Sequence, residues 1–423
     1  MIQDKSKKYT ALKCYVDFLL KKSAFRRVEC YGIEKIPQNS AIIYAANHTN
    51  PLIDALAVLA IDNNHKVFVA RADIFKNPVI LKFLTFLKML PINRKRDGIE
   101  NLSKNEEIND IVINALRDKV PFCIMPEGTH RQKHGLLPLV KGIFRIALQA
   151  NDTFGQTMPV YIVPVGISYG HFLRPAGSSM LVQIGDSINV TQFVKDNSDA
   201  NIALQINGLR NKLSEQMKKV ILDIPNEQNY EGIMQLVQLQ GKKDKSLINR
   251  FLTAKENIKN IENDLISSPE KTQQLLDKAK EFYTKRHELN IGMNSILKKN
   301  LLLSMLGNLF WLLIGLPYFV FCAAVTSPIT LLSQRLCSKF EDKAFHNTVR
   351  FLITLALLPL LLLLFSIIVF AVFGWKWGVV FILLFIPSFF FLHEYLRLIR
   401  LFISDIKFLR YKNNLFNIIK NYL

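Results

Sequence analysis

Apolar and polar positions follow two different periods along the first half of the chain. Short apolar runs, AIIYAA (41–46), KVFVA (66–70), FCIM (122–125), VYIVPVGIS (160–168) and MLVQIG (180–185), read as buried strands. Between them, 52–61, 76–89, 103–119 and 141–150 place apolar residues at helical spacing. Alternating strand and helix signals predict an α/β domain from 41 to about 190. From 201 to about 298 the chain is charged and helical without an internal repeat, so 221–298 reads as a linker of solvated helices.

Beyond residue 299 the pattern becomes that of a membrane region. Residues 351–373 carry no charge over 23 positions, enough to cross a hydrocarbon core of ~30 Å. After a GWKWG turn, 378–392 is again uncharged and His393-Glu394 closes the run, so 351–373 and 378–395 are expected to form a hairpin. Residues 301–332 are uncharged too, but Pro317 and Pro328 interrupt them, which predicts a re-entrant or broken span. At the other end, residues 1–24 set Leu12, Tyr15, Val16, Leu19 and Leu20 at helical spacing among lysines. Such a helix either packs on its own domain or lies on a membrane surface, and 1–24 is expected to be an amphipathic membrane-surface helix. The stretch has no h-region and no small-residue cleavage site, so it does not read as a signal peptide.

Composition narrows the choices. A chain of 423 residues is too long for one ordinary core, and 50% apolar residues exclude a disordered one. The net charge is +20. Residues 1–290 hold 41 basic and 30 acidic residues, while 291–423 hold 13 and 4, although this tail is also the most apolar part. A segment both apolar and basic speaks for anionic lipid head groups and against nucleic acid. Arg335, Lys339, Lys343 and Arg350 lie in one connection, and Arg397, Arg400, Lys407, Arg410, Lys412 and Lys420 in a basic tail. The positive-inside rule places both on the cytoplasmic face with the basic N-terminal domain. Cys14, Cys30, Cys123, Cys322 and Cys337 are scattered without metal spacing, as in a reducing compartment.

Two stretches carry candidate chemistry. In AIIYAANHTNPLIDALAVLA (41–60), Asn50-Pro51 signals a helix start, with Asn50 as N-cap. His48 then sits in the turn before the helix, and Asp54 in its first turn reaches back to one imidazole nitrogen. The other nitrogen is left to accept a proton, the base-plus-orienter part of a catalytic triad. The plainer alternative is a loop histidine bonded to a nearby carboxylate. In VPFCIMPEGTHRQKHGLLPLVKGIFRIALQA (120–150), a strand runs into a loop where Gly128 permits close approach of a ligand. Glu127 and Thr129 suit hydroxyl groups, and Arg131, Lys133 and Lys141 offer positive charge to a phosphate. Upstream, LPINRKRDG (90–98) adds Arg94, Lys95 and Arg96.

NHTNPLID, LPINR, MPEGTH and VPVGISY occur in the order and approximate spacing of the four motif blocks of the glycerol-phosphate and lysophospholipid acyltransferase superfamily. The resemblance covers roughly 25–220, and the surrounding text is similar to bacterial relatives of the fungal-type glycerol-3-phosphate acyltransferases. It implies that His48 is the general base and Asp54 its orienter. It implies an α/β domain over 25–220 with a mixed sheet flanked by helices, and that Arg94, Glu127 and Gly128 contact the acceptor. Asn47, Thr129, Arg131 and Lys141 join the expected substrate-binding set on the chemistry of their own stretches. Pro164 falls on the acyl-donor side. The implied reaction moves an acyl group from acyl-CoA or an acyl carrier protein to a hydroxyl of glycerol 3-phosphate or its 1-acyl derivative, toward phosphatidic acid. No metal and no bound cofactor is implied. Backbone amides near Asn50–Leu52 are expected to stabilise the oxyanion.

Two positions depart from the commonest pattern. Five residues, Thr49 to Ile53, separate His48 from Asp54, where four are usual. An extra residue in the turn leaves the pair able to meet, whereas one in the helix would rotate Asp54 by ~100°. The third block ends in His130, where Arg or Ser is frequent, so phosphate recognition shifts to Arg131 or Lys133. Competing readings remain. Gly166-Ile167-Ser168-Tyr169-Gly170 matches a hydrolase nucleophile elbow, but HFLRPAGSSM after it is not helical. His130 and His134 stand four apart as a metal pair would, without a third ligand. A non-enzymatic basic membrane scaffold is the last alternative.

Overall fold

The computed structural model describes residues 2–93, 104–155, 157–170, 178–241 and 246–419. The chain forms two compact units, Met1–Asp223 with Asp342–Thr348, and Ile224–Glu341 with Val349–Leu423. The first unit thus ends three residues beyond the expected boundary at 220. It also takes in a short segment from far along the chain, which the sequence pattern does not announce.

In the first unit, helix α1 (Lys7–Leu19) leads into strand β1 (Phe25–Tyr31). Strands β2 (Ala41–Ala46), β3 (Val67–Arg71), β4 (Met89–Ile92), β5 (Phe122–Ile124) and β6 (Val160–Tyr169) follow, with β7 (Ser178–Ile184) and β8 (Ile188–Asn189) last. The sheet order is β1-β7-β6-β2-β5-β3-β4, with β8 also on β6. The pairs from β6 across to β4 are parallel, while β7 and β8 run antiparallel to β6. The helices between strands are α2 (Pro51–Leu59), α3 (Pro78–Phe86), α4 (Lys104–Arg117) and α5 (Gly142–Phe154). After β8 come α6 (Val190–Asp196) and α7 (Ile202–Val220).

Central parallel strands are covered on both faces, and their residues show it. Ala41, Ile43 and Ala45 join a core cluster with Val112 and Leu116 of α4 and Phe144 and Ala147 of α5. Tyr44 and Ala46, pointing to the other face, are equally buried. Pro164 sits inside β6 without breaking it. It falls where β6 changes partner from β8 (Ile162 with Ile188) to β7 (Val165 with Ile184). A missing N–H is tolerated at such a junction.

Helix α1 buries Tyr9, Val16 and Leu19 within this unit, and Tyr9 packs edge-on against His65 and Phe86. Lys13 is also buried, holding Asp17 and the Asp62 carbonyl. Phe18 lies on the exposed side.

The second unit is helical: α8 (Tyr230–Gln240), α9 (Leu247–Ser267), α10 (Pro269–Glu288), the short α11 (Met293–Ile296), then α12 (Leu301–Cys337), α13 (Ala344–Phe373) and α14 (Trp375–Ile419). Linker helices α8–α10 are not all solvated. Arg286 is buried on the Gln235 side chain and the Ile291 carbonyl. Each of α12, α13 and α14 is long and apolar enough to cross a membrane. The expected break near Pro317 is absent, since α12 runs through Pro317 and Pro328. One proline removes one donor and bends a helix, and adjacent apolar helices hold it together. Tyr395 donates to the Leu312 carbonyl, near Pro317, and Tyr318 to that of Leu384, near Pro387 of α14. The hairpin turn is narrower than expected, a single Gly374 at φ +82° between α13 and α14, and α14 continues well past residue 395.

Gly166 shows how tightly β6 meets the end of α7. A Cβ there would stand 1.9 Å from the Val220 carbonyl oxygen. Gly166→Ala is therefore expected to cost about 1–3 kcal/mol or more through forced backbone movement. Thermal unfolding of the full-length variant reads this directly, and an unchanged midpoint would contradict the close approach.

Candidate active site

The site forms where parallel strands end, the usual position for ligands in open α/β sheets. Strand β2 stops at Ala46, opposite Val165, but β6 continues to Tyr169. The Asn47 side chain fills the gap in the ladder. Its Nδ2 donates to the Ile167 carbonyl at 3.1 Å, and its Oδ1 accepts the Ile167 N–H at 2.7 Å. Asn47 therefore builds the turn, with both amide atoms engaged, and is a weaker fit to the substrate contact expected of it.

His48 follows, held by its backbone to the PEGTH loop. Its N–H donates to Glu127 Oε1 at 2.9 Å, and its carbonyl accepts the Arg131 N–H at 3.1 Å. Its Nδ1 lies 2.9 Å from Asp54 Oδ2. The helix begins at Pro51, so the extra residue between His48 and Asp54 lies in the turn and the pair meets as expected. The imidazole is 18% exposed and the Asp54 side chain 0%, so only the histidine can touch a substrate. With Nδ1 on the carboxylate, Nε2 is the atom left for a proton.

Asp54 is satisfied from four directions. Besides His48, its Oδ2 accepts the N–H groups of Thr49 and Asn50, each at 2.7 Å, and its Oδ1 accepts the Tyr169 hydroxyl at 2.5 Å. Burial, together with the charge of Asp54 and the bond to it, holds the Tyr169 phenol well above its ordinary range. Tyr169 thus stays a donor. It also stacks on Phe25, which fixes its ring. These bonds correct the expected oxyanion site at Asn50–Leu52. The Asn50 N–H is spent on Asp54, Pro51 has none, and the Leu52 N–H points to Thr348 Oγ1 at 3.4 Å. Asn50 is the N-cap residue, as predicted, yet its side chain does not cap; Oδ1 accepts from Asn347 Nδ2 at 2.6 Å.

Glu127 is 6% exposed and faces inward. Its second oxygen accepts the Leu137 N–H at 3.1 Å, so the carboxyl clamps two backbone segments and leaves little for an acceptor hydroxyl. Gly128, at φ +66°, turns the loop outward, and Thr129 is exposed beside it. His130 stands beside the His48–Asp54 pair. Its ring centroid lies 5.6 Å from that of His48, edge-on, and its Nε2 lies 2.7 Å from Asp342 Oδ2. Lys133 lines a narrow polar cleft with Asn47, Thr49 and Glu127.

Other expected residues stand apart. Lys141 is exposed at the start of α5. Pro164 is inside the sheet, against Gly185. Arg94 lies outside the described residues, as do Lys95 and Arg96. Ser168 is within strand β6 and not on a strand-to-helix turn, so the hydrolase elbow lacks its geometry. Gly166, which opens that pattern, is explained by packing on Val220. His130 pairs with Asp342, and among the described residues no group of three or more His, Cys, Asp or Glu is placed to hold a metal. The residues that the pattern did not single out are Tyr169, Asp342, Asn347 and Thr348. Tyr169 closes the fourth quoted block, VPVGISY; the others give no local signal.

Fold and site together define an α/β unit carrying a histidine–carboxylate pair at the carboxyl edge of its sheet. Residues 27–168 match the acyltransferase family. The chain is 25% identical over 142 residues to 1-acyl-sn-glycerol-3-phosphate acyltransferase alpha of Ovis aries, covering 34% of this chain and 45% of that protein. It is 26% identical over 171 residues to 1-acyl-sn-glycerol-3-phosphate acyltransferase of Haemophilus influenzae, covering 38% and 66%. The chain thus spans less than two thirds of the length of either relative. The crystal structure of the 1-acyl-sn-glycerophosphate acyltransferase PlsC of Thermotoga maritima is 19% identical, with a TM-score of 0.35, covering 50% of this chain and 79% of that one.

The buried clamp makes a pH prediction. Burial pushes the Glu127 carboxyl from its ordinary 4.5 up to about 7, against the opposing pull of the His48 and Leu137 N–H groups. The folded protein then keeps this proton while the unfolded chain has released it, so this contribution to stability falls as pH rises from about 4.5 to about 7. Glu127→Gln removes that slope and also sets an amide N–H₂ against a backbone donor, at about 1–3 kcal/mol. Melting curves of both proteins across this range are expected to differ in slope. Parallel curves would contradict it.

Proposed function

We propose that this protein is a membrane-bound O-acyltransferase that moves a fatty acyl group from a thioester to a hydroxyl of glycerol 3-phosphate or 1-acyl-glycerol 3-phosphate. The observation that carries the reading is the His48–Asp54 pair, with Nδ1 fixed on a fully buried carboxylate and the imidazole partly exposed. The match of residues 27–168 to the acyltransferase family supports it, as do the names of the two relatives.

In the proposed step His48 Nε2 takes the proton of the acceptor hydroxyl, whose oxygen attacks the thioester carbonyl. The new C–O bond forms, the C–S bond breaks, and the proton returns from His48 to the departing thiolate. Asp54 stabilises the imidazolium in between. No metal or redox group takes part, and the donor is acyl-CoA or an acyl carrier protein. Gly128 and Thr129, exposed beside His130, suit the acceptor, with Arg131, Lys133, Lys141 and Arg94 as candidate phosphate contacts. Glu127 and Asn47 act on the site by positioning His48. Pro164 keeps the donor-side role implied by the family resemblance.

The membrane helices and basic flanks are proposed to hold the catalytic unit on the cytoplasmic face of the inner membrane, against anionic lipid. That Asp342–Thr348 belongs to the catalytic unit supports placing the 338–343 connection on the same side. Engineered cysteines at 340 and 410 are expected to label from that side only. Labelling of either exclusively from the opposite side would overturn this arrangement.

A panel of glycerol 3-phosphate, 1-acyl-glycerol 3-phosphate and glycerol, with products read by mass, tests the activity itself. His48→Ala is expected to lower turnover by ~10²–10⁴. A variant as active as the wild type, or release of free fatty acid that depends on Ser168, would refute the mechanism.

A further inference from the structure

The segment Asp342–Thr348 is distant in sequence from the catalytic motifs but belongs to the same compact unit. Four contacts fasten it around the His48 turn. Asp342 Oδ2 meets His130 Nε2 at 2.7 Å, and the Phe345 ring stands edge-on to the His130 ring at 5.6 Å. Asn347, itself 2% exposed, donates to the Asn50 side chain at 2.6 Å, and Thr348 Oγ1 receives the Leu52 N–H at 3.4 Å. Asp342 is in turn fixed, because its other oxygen accepts the Ala344 N–H at 2.9 Å. Burial raises the Asp342 carboxyl, but the Ala344 N–H, the His130 ring and the charge of His346 outweigh it and bring the group below its ordinary value.

From this arrangement we infer that Asp342 is a positioning residue of the active site, holding His130 so that His130 binds the phosphate of the acceptor. The inference rests on the acyltransferase reading above. A carboxylate on Nε2 requires Nε2 to carry hydrogen, so Nδ1 is the nitrogen available to a ligand. Among the described residues Nδ1 has no protein partner. With Asp342 on one side and a phosphate oxygen on the other, the ring serves as an imidazolium that donates to both anions. The separation from His48 suits this role. A phosphate on His130 places a hydroxyl two or three carbons away beside the His48 base, as in a glycerol phosphate. Asn347 and Thr348 tie the same segment to the start of α2, so the two histidines are held by one frame.

The test uses the full-length protein in lipid nanodiscs. Asp342→Asn and His130→Gln are each expected to raise the acceptor KM roughly ten- to hundredfold, the loss of one charged hydrogen bond, with a much smaller change in kcat and in donor KM. The double variant is expected to be no worse than His130→Gln alone. His130→Arg, whose charge needs no carboxylate, is expected to recover acceptor binding in the presence of Asp342→Asn. Calorimetric binding of glycerol 3-phosphate without donor reads the same site independently of turnover. Wild-type affinity in Asp342→Asn, additive losses, or a kcat loss at unchanged KM would overturn the inference. Binding that is lost in these variants, in a wild type that transfers no acyl group, would uphold the phosphate site and overturn the acyltransferase reading instead. A wild type that binds neither glycerol 3-phosphate nor 1-acyl-glycerol 3-phosphate in the same calorimetric measurement would overturn both.

Discussion

A buried carboxylate is the constraint around which this site is built. Asp54 has no exposed surface, and an unpaired charge in that position would cost several kcal/mol. It is tolerated because every approach is filled: two backbone N–H groups from the turn, the Tyr169 hydroxyl from the overhanging end of β6, and the His48 ring. The ring is the only donor of the four that can reach a substrate. Satisfying the carboxylate and orienting the imidazole are one act.

The same economy governs the neighbouring loops. The amide of Asn47 replaces a missing rung between β2 and β6, and Glu127 fastens the His48 N–H to the PEGTH loop. These polar residues resemble ligand contacts when seen as a motif. In the fold most of their hydrogen-bonding capacity is spent on the backbone. What remains for a ligand is the His48 edge, the exposed Gly128-Thr129 turn and the ring of His130.

The sequence made the central features legible because they are local. Strands β2, β3, β5, β6 and β7 follow continuous apolar runs, and Asn50-Pro51 marks the start of α2. His48 and Asp54 are six positions apart, so turn and helix geometry alone brings them together. Other features were hidden for equally physical reasons. The role of Tyr169 depends on how far β6 outruns β2, a matter of register. The spending of the helix-start N–H groups on Asp54 is a competition that no motif displays. Asn347 and Thr348 reach the site across almost 300 residues and Asp342 across 212, and Pro317 looked like a break because its cost is visible in sequence while the packing that offsets it is not.

The central claim is that Asp54 fixes His48 as the Nδ1-protonated tautomer, with Nε2 free to act as base. Nitrogen-15 NMR of the histidine-labelled, full-length protein measures this most directly, with the His48 signal assigned by its loss in His48→Gln. The account predicts, for the neutral ring, hydrogen on Nδ1 and none on Nε2. A neutral His48 protonated on Nε2 would contradict it.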